Sequence, residues 1–352
     1  MSKESKSVSN TNNPPDAAEP GPRRPPTSAD VARSAGVSRA TVSYVLNGVA
    51  DSRISEETRA KVRAAADALG YTPHAMARSL RAGSSQIVLL PRYELPSSPM
   101  PVQFQEGLAA RIGEKGYTVI SHLDPLAQGV EAARTWASLR PVGLYVEAQR
   151  LNRRAIEILR IAGTKAILLS SEKPSRLAPT LVVNHKDVGA CAAEHLIGRG
   201  HRRLAAVVPR EAGIHGLGIE RYTGMAKVAE QHGLAVQRID MAYDAQQATR
   251  VVATWRAGPR PDAVLTYNDD FAMLLMRAIQ DAGMAIPGDV AVIGVDDLSY
   301  CDLLRPRLTS VRLGVEHAID VAATAFLRLI EGHEIDTSVR YLLPSVVVRE
   351  SA

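Results

Sequence analysis

From Thr27 onward the apolar positions recur at helical spacing. Val31, Ala32 and Ala35 share one face, with Thr27 or Ser28 as N-cap and Gly36 as the stop. Ser38 caps a second segment in which Ala40, Thr41, Val42, Val45 and Leu46 form one stripe, and Asn47-Gly48 ends it. Ser55 caps a third, 56–69, with two acids in its first turn, an apolar side of Val62, Ala65, Ala66 and Leu69, and Gly70 at its end. The spacing predicts a compact bundle of three short helices. After Gly83 the pattern switches to short apolar runs separated by longer amphipathic stretches. Strands are expected at 87–90, 118–121, 143–146, 166–169, 180–183, 204–208, 237–240, 263–266 and 290–295. Helices are expected at 105–115, 151–162, 188–199, 219–231, 246–256, 270–282 and 314–330, among others. Alternation at this spacing implies βαβ crossovers and parallel sheets covered on both faces. About 270 residues exceed one doubly wound unit, so two similar α/β lobes are expected, divided near 184–186, with a cleft between them at the carboxyl ends of the strands.

Composition sharpens this picture at a few points. Of 352 residues, 45% are hydrophobic and only 4% aromatic, so Leu, Val, Ile and Ala must fill the cores. Residues 1–26 cluster Ser, Asn and Pro with almost no large apolar side chain and read as a disordered tail. No run reaches the roughly 18–20 apolar residues of a membrane span, and the polar start lacks a signal-peptide core. A cytoplasmic, nucleoid-associated protein is expected, and the absence of a heptad repeat at the C-terminal end argues against a coiled-coil tetramer. Cys191 and Cys301 cannot build a disulfide framework or a clustered zinc site, and no metal or cofactor is expected. Much of the net charge of +5 sits in 27–82, where eight Lys or Arg face five Asp or Glu. Such a patch suits a phosphate-neutralising module, though it also suits a plain solvated face.

The turn Ala35-Gly36-Val37-Ser38 joins the first two helices, and Gly permits the left-handed backbone that a helix-turn-helix requires. Ser38, Arg39, Ala40 and Thr41, with Tyr44 one turn on, then project away from the apolar stripe toward base edges and phosphates in a major groove. Arg39 is suited to a bidentate contact with guanine. On this evidence alone a helical hairpin with solvated Arg39 and Tyr44 fits equally well.

The stretch 28–48, SADVARSAGVSRATVSYVLNG, closely resembles the headpiece of LacI/GalR-family transcription regulators. The resemblance continues through Ile54-Ser55-Glu56-Glu57-Thr58-Arg59 and Ala68-Leu69-Gly70-Tyr71-Thr72-Pro73 into Ala75-Met76-Ala77-Arg78-Ser79-Leu80-Arg81, which looks like the family's hinge helix. It adds Asn47 to the DNA-contacting set. It implies a homodimer whose two hinge helices enter the minor groove of double-stranded operator DNA, with Leu80 as the wedge between base steps and Arg78 near the phosphates. Further on, the segments 199–205, 268–272, 286–297 and 306–311 resemble the family's effector-binding core, whose fold is similar to that of periplasmic sugar-binding proteins. The fold expected is thus an α-helical headpiece followed by a two-lobed α/β core. Its divisions are a tail 1–26, a helix-turn-helix domain 27–72, a hinge helix 73–83, an N-terminal lobe 84–185 plus 312–336, and a C-terminal lobe 186–311 plus 337–352.

For the cleft, the resemblance implies effector contacts from Arg221, Asn268 and Asp296, with Met100 and Ser170 from the first lobe. A guanidinium, an amide and a carboxylate at strand ends suit the hydroxyls or carboxylate of a polar ligand, although Asp296 equally suits a turn or helix cap. The first lobe departs from the family pattern. Glu94–Pro101 replaces a segment that commonly carries aromatic residues, Ser170 stands where many members have aspartate, and Asn184-His185 where many have Asp-Asn. The expectation is that the aromatic stacking face is lost, with Tyr93, Met100 and Phe104 available for an apolar wall. No Gly-x-Ser-x-Gly elbow, Walker loop, Gly-x-Gly-x-x-Gly or His-Glu-x-x-His occurs, which argues against an enzyme. The reading is a dimeric, sequence-specific transcription regulator, a repressor, that binds a palindromic operator and responds to a small molecule such as a sugar. An effector-independent regulator and a cytoplasmic solute-binding protein are the alternatives.

Overall fold

The computed structural model describes residues 24–46, 54–72, 85–92, 100–123, 127–335 and 341–352. It divides into two compact units, Met1–Arg81 and Ala82–Ala352. The expected hinge helix lies outside the described residues, as do Asn47, Arg78, Leu80 and Tyr93.

In the first unit, helices α1 (Ser28–Ala35), α2 (Arg39–Leu46) and α3 (Glu56–Leu69) enclose Val31, Val42, Val45, Val62 and Ala66. Each boundary has a local cause. The Asp30 carboxylate accepts from the backbone N–H and hydroxyl of Thr27 at 2.9 and 2.6 Å, closing the start of α1. Gly36 takes φ +66° and ends that helix. The Ser38 and Ser55 hydroxyls accept from Thr41 N–H and Thr58 N–H to open α2 and α3.

The second unit holds two sheets. Strands β1 (Ile87–Arg92), β2 (Thr118–Leu123), β3 (Gly143–Glu147), β4 (Ala166–Ser171) and β5 (Thr180–Val182) form a parallel sheet in the order β2-β1-β3-β4-β5. The other sheet has the order β11-β10-β9-β8-β6-β7. Its strands β6 (Leu204–Pro209), β7 (Val236–Met241), β8 (Ala263–Leu265), β9 (Ala291–Val295) and β10 (Thr309–Arg312) are parallel, and β11 (Ser345–Val347) is antiparallel at one edge. The near-continuous apolar strands follow from burial on both faces. Val88, Leu90 and Leu168 join one core with Phe326, whereas Leu89, Leu144 and Leu169 point to the opposite core, which contains Trp136. Helices α4 (Met100–Gly113) and α11 (Val315–Ile330) cover the first of these faces, and α5 (Gly129–Ser138) and α6 (Arg153–Ile161) cover the second. On the second sheet, α7 (His185–Gly198) and α8 (Ala212–Gln231) oppose α9 (Ala245–Ala257) and α10 (Asp269–Asp281).

Every expected strand segment is a strand, but β10, β11 and α5 had not been expected. Helix α4 starts at Met100 rather than 105, because Pro101 is tolerated in a first turn where its missing N–H is not needed. Helix α8 starts at Ala212 rather than 219, since tertiary packing carries the helix across Gly213, Gly216 and Gly218. The chain enters the second sheet after β5, returns after β10 to lay α11 on the first sheet, and supplies β11 to the second.

Candidate functional site

The α2 face predicted to read DNA is presented as the periodicity required. Val42 and Val45 point into the headpiece core, while Ser38, Arg39, Ala40 and Tyr44 are exposed. Tyr44 keeps 43% of its surface, an unusual exposure for a large aromatic in a small domain. Thr41 is half-buried, and its hydroxyl lies 2.9 Å from that of Ser38. These two hydroxyls therefore fix the start of the helix, which aims Arg39 and Ala40 outward. Arg39 forms no ion pair among the described residues, so its five donors are available.

In the second unit, the carboxyl ends of the parallel strands converge on a cleft of about 1090 Å³ between the two sheets. Arg92, Leu123, Glu147 and Ser171, the last residues of β1, β2, β3 and β4, all line it. From the second lobe come Ala212 just after β6, Tyr267 just after β8 and Asp296 just after β9. Loops at that edge are free of crossover helices, which is why ligand sites of doubly wound sheets form there.

Arg221 reaches the cleft from the middle of α8 and is only 5% exposed. Its guanidinium lies over the Tyr267 ring, 4.5 Å from the centroid, and donates to the Tyr267 carbonyl. Its Nε has no hydrogen-bond partner among the described residues. His185, the first residue of α7, lines the same end at 9% exposure, and its Nδ1 is likewise without a partner. Burial, with the Arg221 charge adding to it, pushes the His185 imidazole down to about 3, so the ring is neutral. Helices α7 and α8 bring the two side chains together because they cross almost in contact. A Cβ on Gly189 would lie 1.8 Å from the Arg221 carbonyl oxygen, and one on Gly224 would lie 1.9 Å from that of Lys186.

The first-lobe wall differs from the expectation of a lost aromatic face. Phe104 packs against Tyr145 and Tyr341, both at 5.7 Å between centroids, and all three line the cleft beside Met100. The aromatic surface is thus rebuilt from α4, β3 and the segment before β11. The Tyr145 and Tyr341 hydroxyls lie 3.3 Å apart, and burial raises the Tyr145 phenol to about 12. Glu147 is buried at the end of β3, 3.8 Å from Arg150, whose guanidinium covers Trp136 at 5.1 Å. Desolvation outweighs that cation and lifts the Glu147 carboxyl to about 7.

Of the predicted cleft residues, Met100, Ser170, Arg221 and Asp296 line the cavity together. Asn268 is not on its wall. It is 1% exposed, and its side-chain oxygen accepts from Phe271 N–H as the N-cap of α10, so the competing demand of a helix start has taken it. Asp296 follows β9 in a strained backbone at φ +105°, with Asp297 at +55°. Asp297 anchors this turn through Arg312 at 2.6 Å and Arg349 at 2.8 Å, and the Asp296 N–H donates to Val311 O. The strain turns Asp296, not Asp297, toward the cleft. Sequence reasoning missed Tyr145, Glu147, His185, Tyr267 and Tyr341. The strand-end rule could have found Tyr145, Glu147 and Tyr267, but nothing in the local sequence marks Tyr341.

Comparison with known proteins accords with both units. Residues 27–74 match the profile of bacterial regulatory proteins of the lacI family, and residues 193–352 match a periplasmic binding protein-like domain. The HTH-type transcriptional repressor PurR of Photobacterium profundum is 26% identical over 332 residues, covering 92% of this chain and 98% of that one. The HTH-type transcriptional regulator GntR of Pseudomonas aeruginosa is 29% identical over 337 residues, covering 93% and 95%. Among solved structures, the Lac repressor dimer bound to operator and an anti-inducer matches at a TM-score of 0.75 and 25% identity, over 93% of this chain and 99% of that one. Among the described residues no helix is long and apolar enough to cross a membrane. The chain belongs to the lacI family of bacterial regulatory proteins and is a DNA-binding transcription regulator with a periplasmic-binding-protein-like core.

Proposed function

We propose that the protein is a homodimeric repressor that binds a palindromic operator, and that a small molecule held in the interlobe cleft changes its operator affinity. The observation that carries the reading is the joining, in one chain, of an exposed α2 face to a core whose strand ends converge on a large cleft with unpartnered buried polar atoms. Arg39, Ala40 and Tyr44 read bases or phosphates, Ser38 and Thr41 set the helix start, and Asn47, Arg78 and Leu80 complete the DNA contacts. Arg221, His185, Asp296, Ser170 and Met100 hold the effector, with Phe104, Tyr145 and Tyr341 forming the wall on which it rests. A ligand that bridges both lobes binds one lobe arrangement better than another, and it shifts operator affinity only by that difference, usually about 1–3 kcal/mol. The test is a metabolite screen by thermal shift on the full chain, followed by titration of each hit into operator-bound protein. Arg221→Met should leave ligand-free operator binding intact and abolish the response. An unchanged response would put the effector elsewhere.

A further inference from the structure

The inner end of the cleft combines two features that define an effector class, given the reading of this cavity as the effector site. The first is a buried charge that the described residues leave uncompensated. The Arg221 guanidinium uses a π face and one carbonyl and forms no ion pair, so several of its five donors remain open. A cation in this setting is completed by an anion, because a neutral hydroxyl supplies a hydrogen bond but no charge. His185 stands beside it with an open Nδ1 and, being neutral, adds a single donor rather than a second positive charge. One cation and one neutral donor suit a monoanion with two adjacent oxygens, not a dianionic phosphate. The end of β4 offers the Ser170 hydroxyl, which does not repel such a group.

The second feature is the apolar first-lobe wall. Met100, Phe104 and Leu342 line it, and the Tyr145 and Tyr341 hydroxyls face one another. A ring can stack on this surface, whereas a hydroxyl-covered sugar would place its polar groups against carbon. We propose that the effector is an aromatic or similarly flat ring carboxylic acid, its carboxylate held between Arg221 Nε and His185 Nδ1 and its ring lying against Phe104, Met100 and Leu342.

The experiment is isothermal titration of the full-length protein with benzoate, 4-hydroxybenzoate and 3-phenylpropanoate. Their primary amides, gluconate and glucose serve as comparisons. At least one ring acid should bind at millimolar concentration or tighter, and its amide should bind about tenfold more weakly or worse, since it leaves the guanidinium unpaired. The amide comparison needs no variant and is therefore independent of any folding defect. Arg221→Met should remove acid binding, and Phe104→Ala should weaken it. Equal affinity for acid and amide, or no binding by any ring acid, overturns the inference. If gluconate or glucose binds instead and loses affinity in Arg221→Met, the ring-acid class fails while the cleft remains the effector site. If every ligand that binds is indifferent to both Arg221→Met and Phe104→Ala, the effector reading of the cleft fails with it.

Discussion

Gly189→Ala is the substitution whose consequence is most tightly set by the structure. Its new Cβ would lie 1.8 Å from the Arg221 carbonyl oxygen, 2.7 Å from the carbonyl carbon and 2.9 Å from Met225 N. All three are backbone atoms of α8, so no side-chain rotation relieves the clash. Reaching ordinary contact near 3.4 Å requires α7 and α8 to separate by roughly 1.5 Å, in an interior packed as densely as an organic crystal. Overpacking of this kind costs about 1–3 kcal/mol, and a backbone clash belongs at the upper end. For a core of this size, 2–3 kcal/mol lowers the melting temperature by roughly 4–12 °C. Gly198→Ala in the same helix is the control. Its Cβ meets nothing within 4 Å, so relief of glycine's entropy cost should leave stability equal or raise it by up to about 1 kcal/mol. Calorimetric melting of both variants decides the matter. Because Arg221 and His185 ride on the separated helices, Gly189→Ala should also weaken cleft ligands while operator binding persists below the melt. A Gly189→Ala protein within about 0.5 kcal/mol of wild type would refute the close-crossing argument.

Other predictions concern charge and DNA. The Glu147 carboxyl is raised from its ordinary value of 4.5 to about 7, so the folded state favours its protonated form. Its contribution is complete below pH 4.5 and is lost as pH rises through 7, on the order of 3 kcal/mol. Glu147→Gln should therefore gain stability relative to wild type across that window in pH-dependent urea melts, and a constant difference would contradict the burial argument. Arg39→Ala should cost about 1–3 kcal/mol on the preferred operator and relax one position in each half-site by fluorescence anisotropy. Uniform weakening on all sequences would make Arg39 a phosphate contact. Leu80→Ala should weaken specific binding and spare the nonspecific mode, because a wedge acts only when the central step is kinked. Equal bends in circular-permutation gels would remove Leu80 from that role.

The periodic parts of the fold were legible because burial is periodic. Strands such as 87–90 and 166–169 face apolar layers on both sides, and the headpiece helices carry their own caps at Thr27, Ser38 and Ser55. Two edge strands escaped notice because Thr309–Arg312 and Ser345–Val347 are short, and the second is half exposed. Helix α5 was hidden by a small-residue sequence whose strongest packing element is Trp136 alone. In the site, strand-end residues follow from topology, so Arg221 and Asp296 could be named in advance. Asn268 shows the limit of that logic, since the same strand-end position doubles as a helix N-cap and the cap claimed the side chain. The rebuilt aromatic wall depends on Tyr341 meeting Phe104 across more than two hundred residues, a juxtaposition that only the assembled lobes create.

Selection from a random duplex library with the full-length protein tests the central claim most directly. Two headpieces reading successive major grooves predict enriched sites with two-fold symmetry, half-sites about one helical turn apart, and affinity that falls steeply with salt. Enrichment of asymmetric, unrelated sequences, or none above nonspecific binding, would contradict the account.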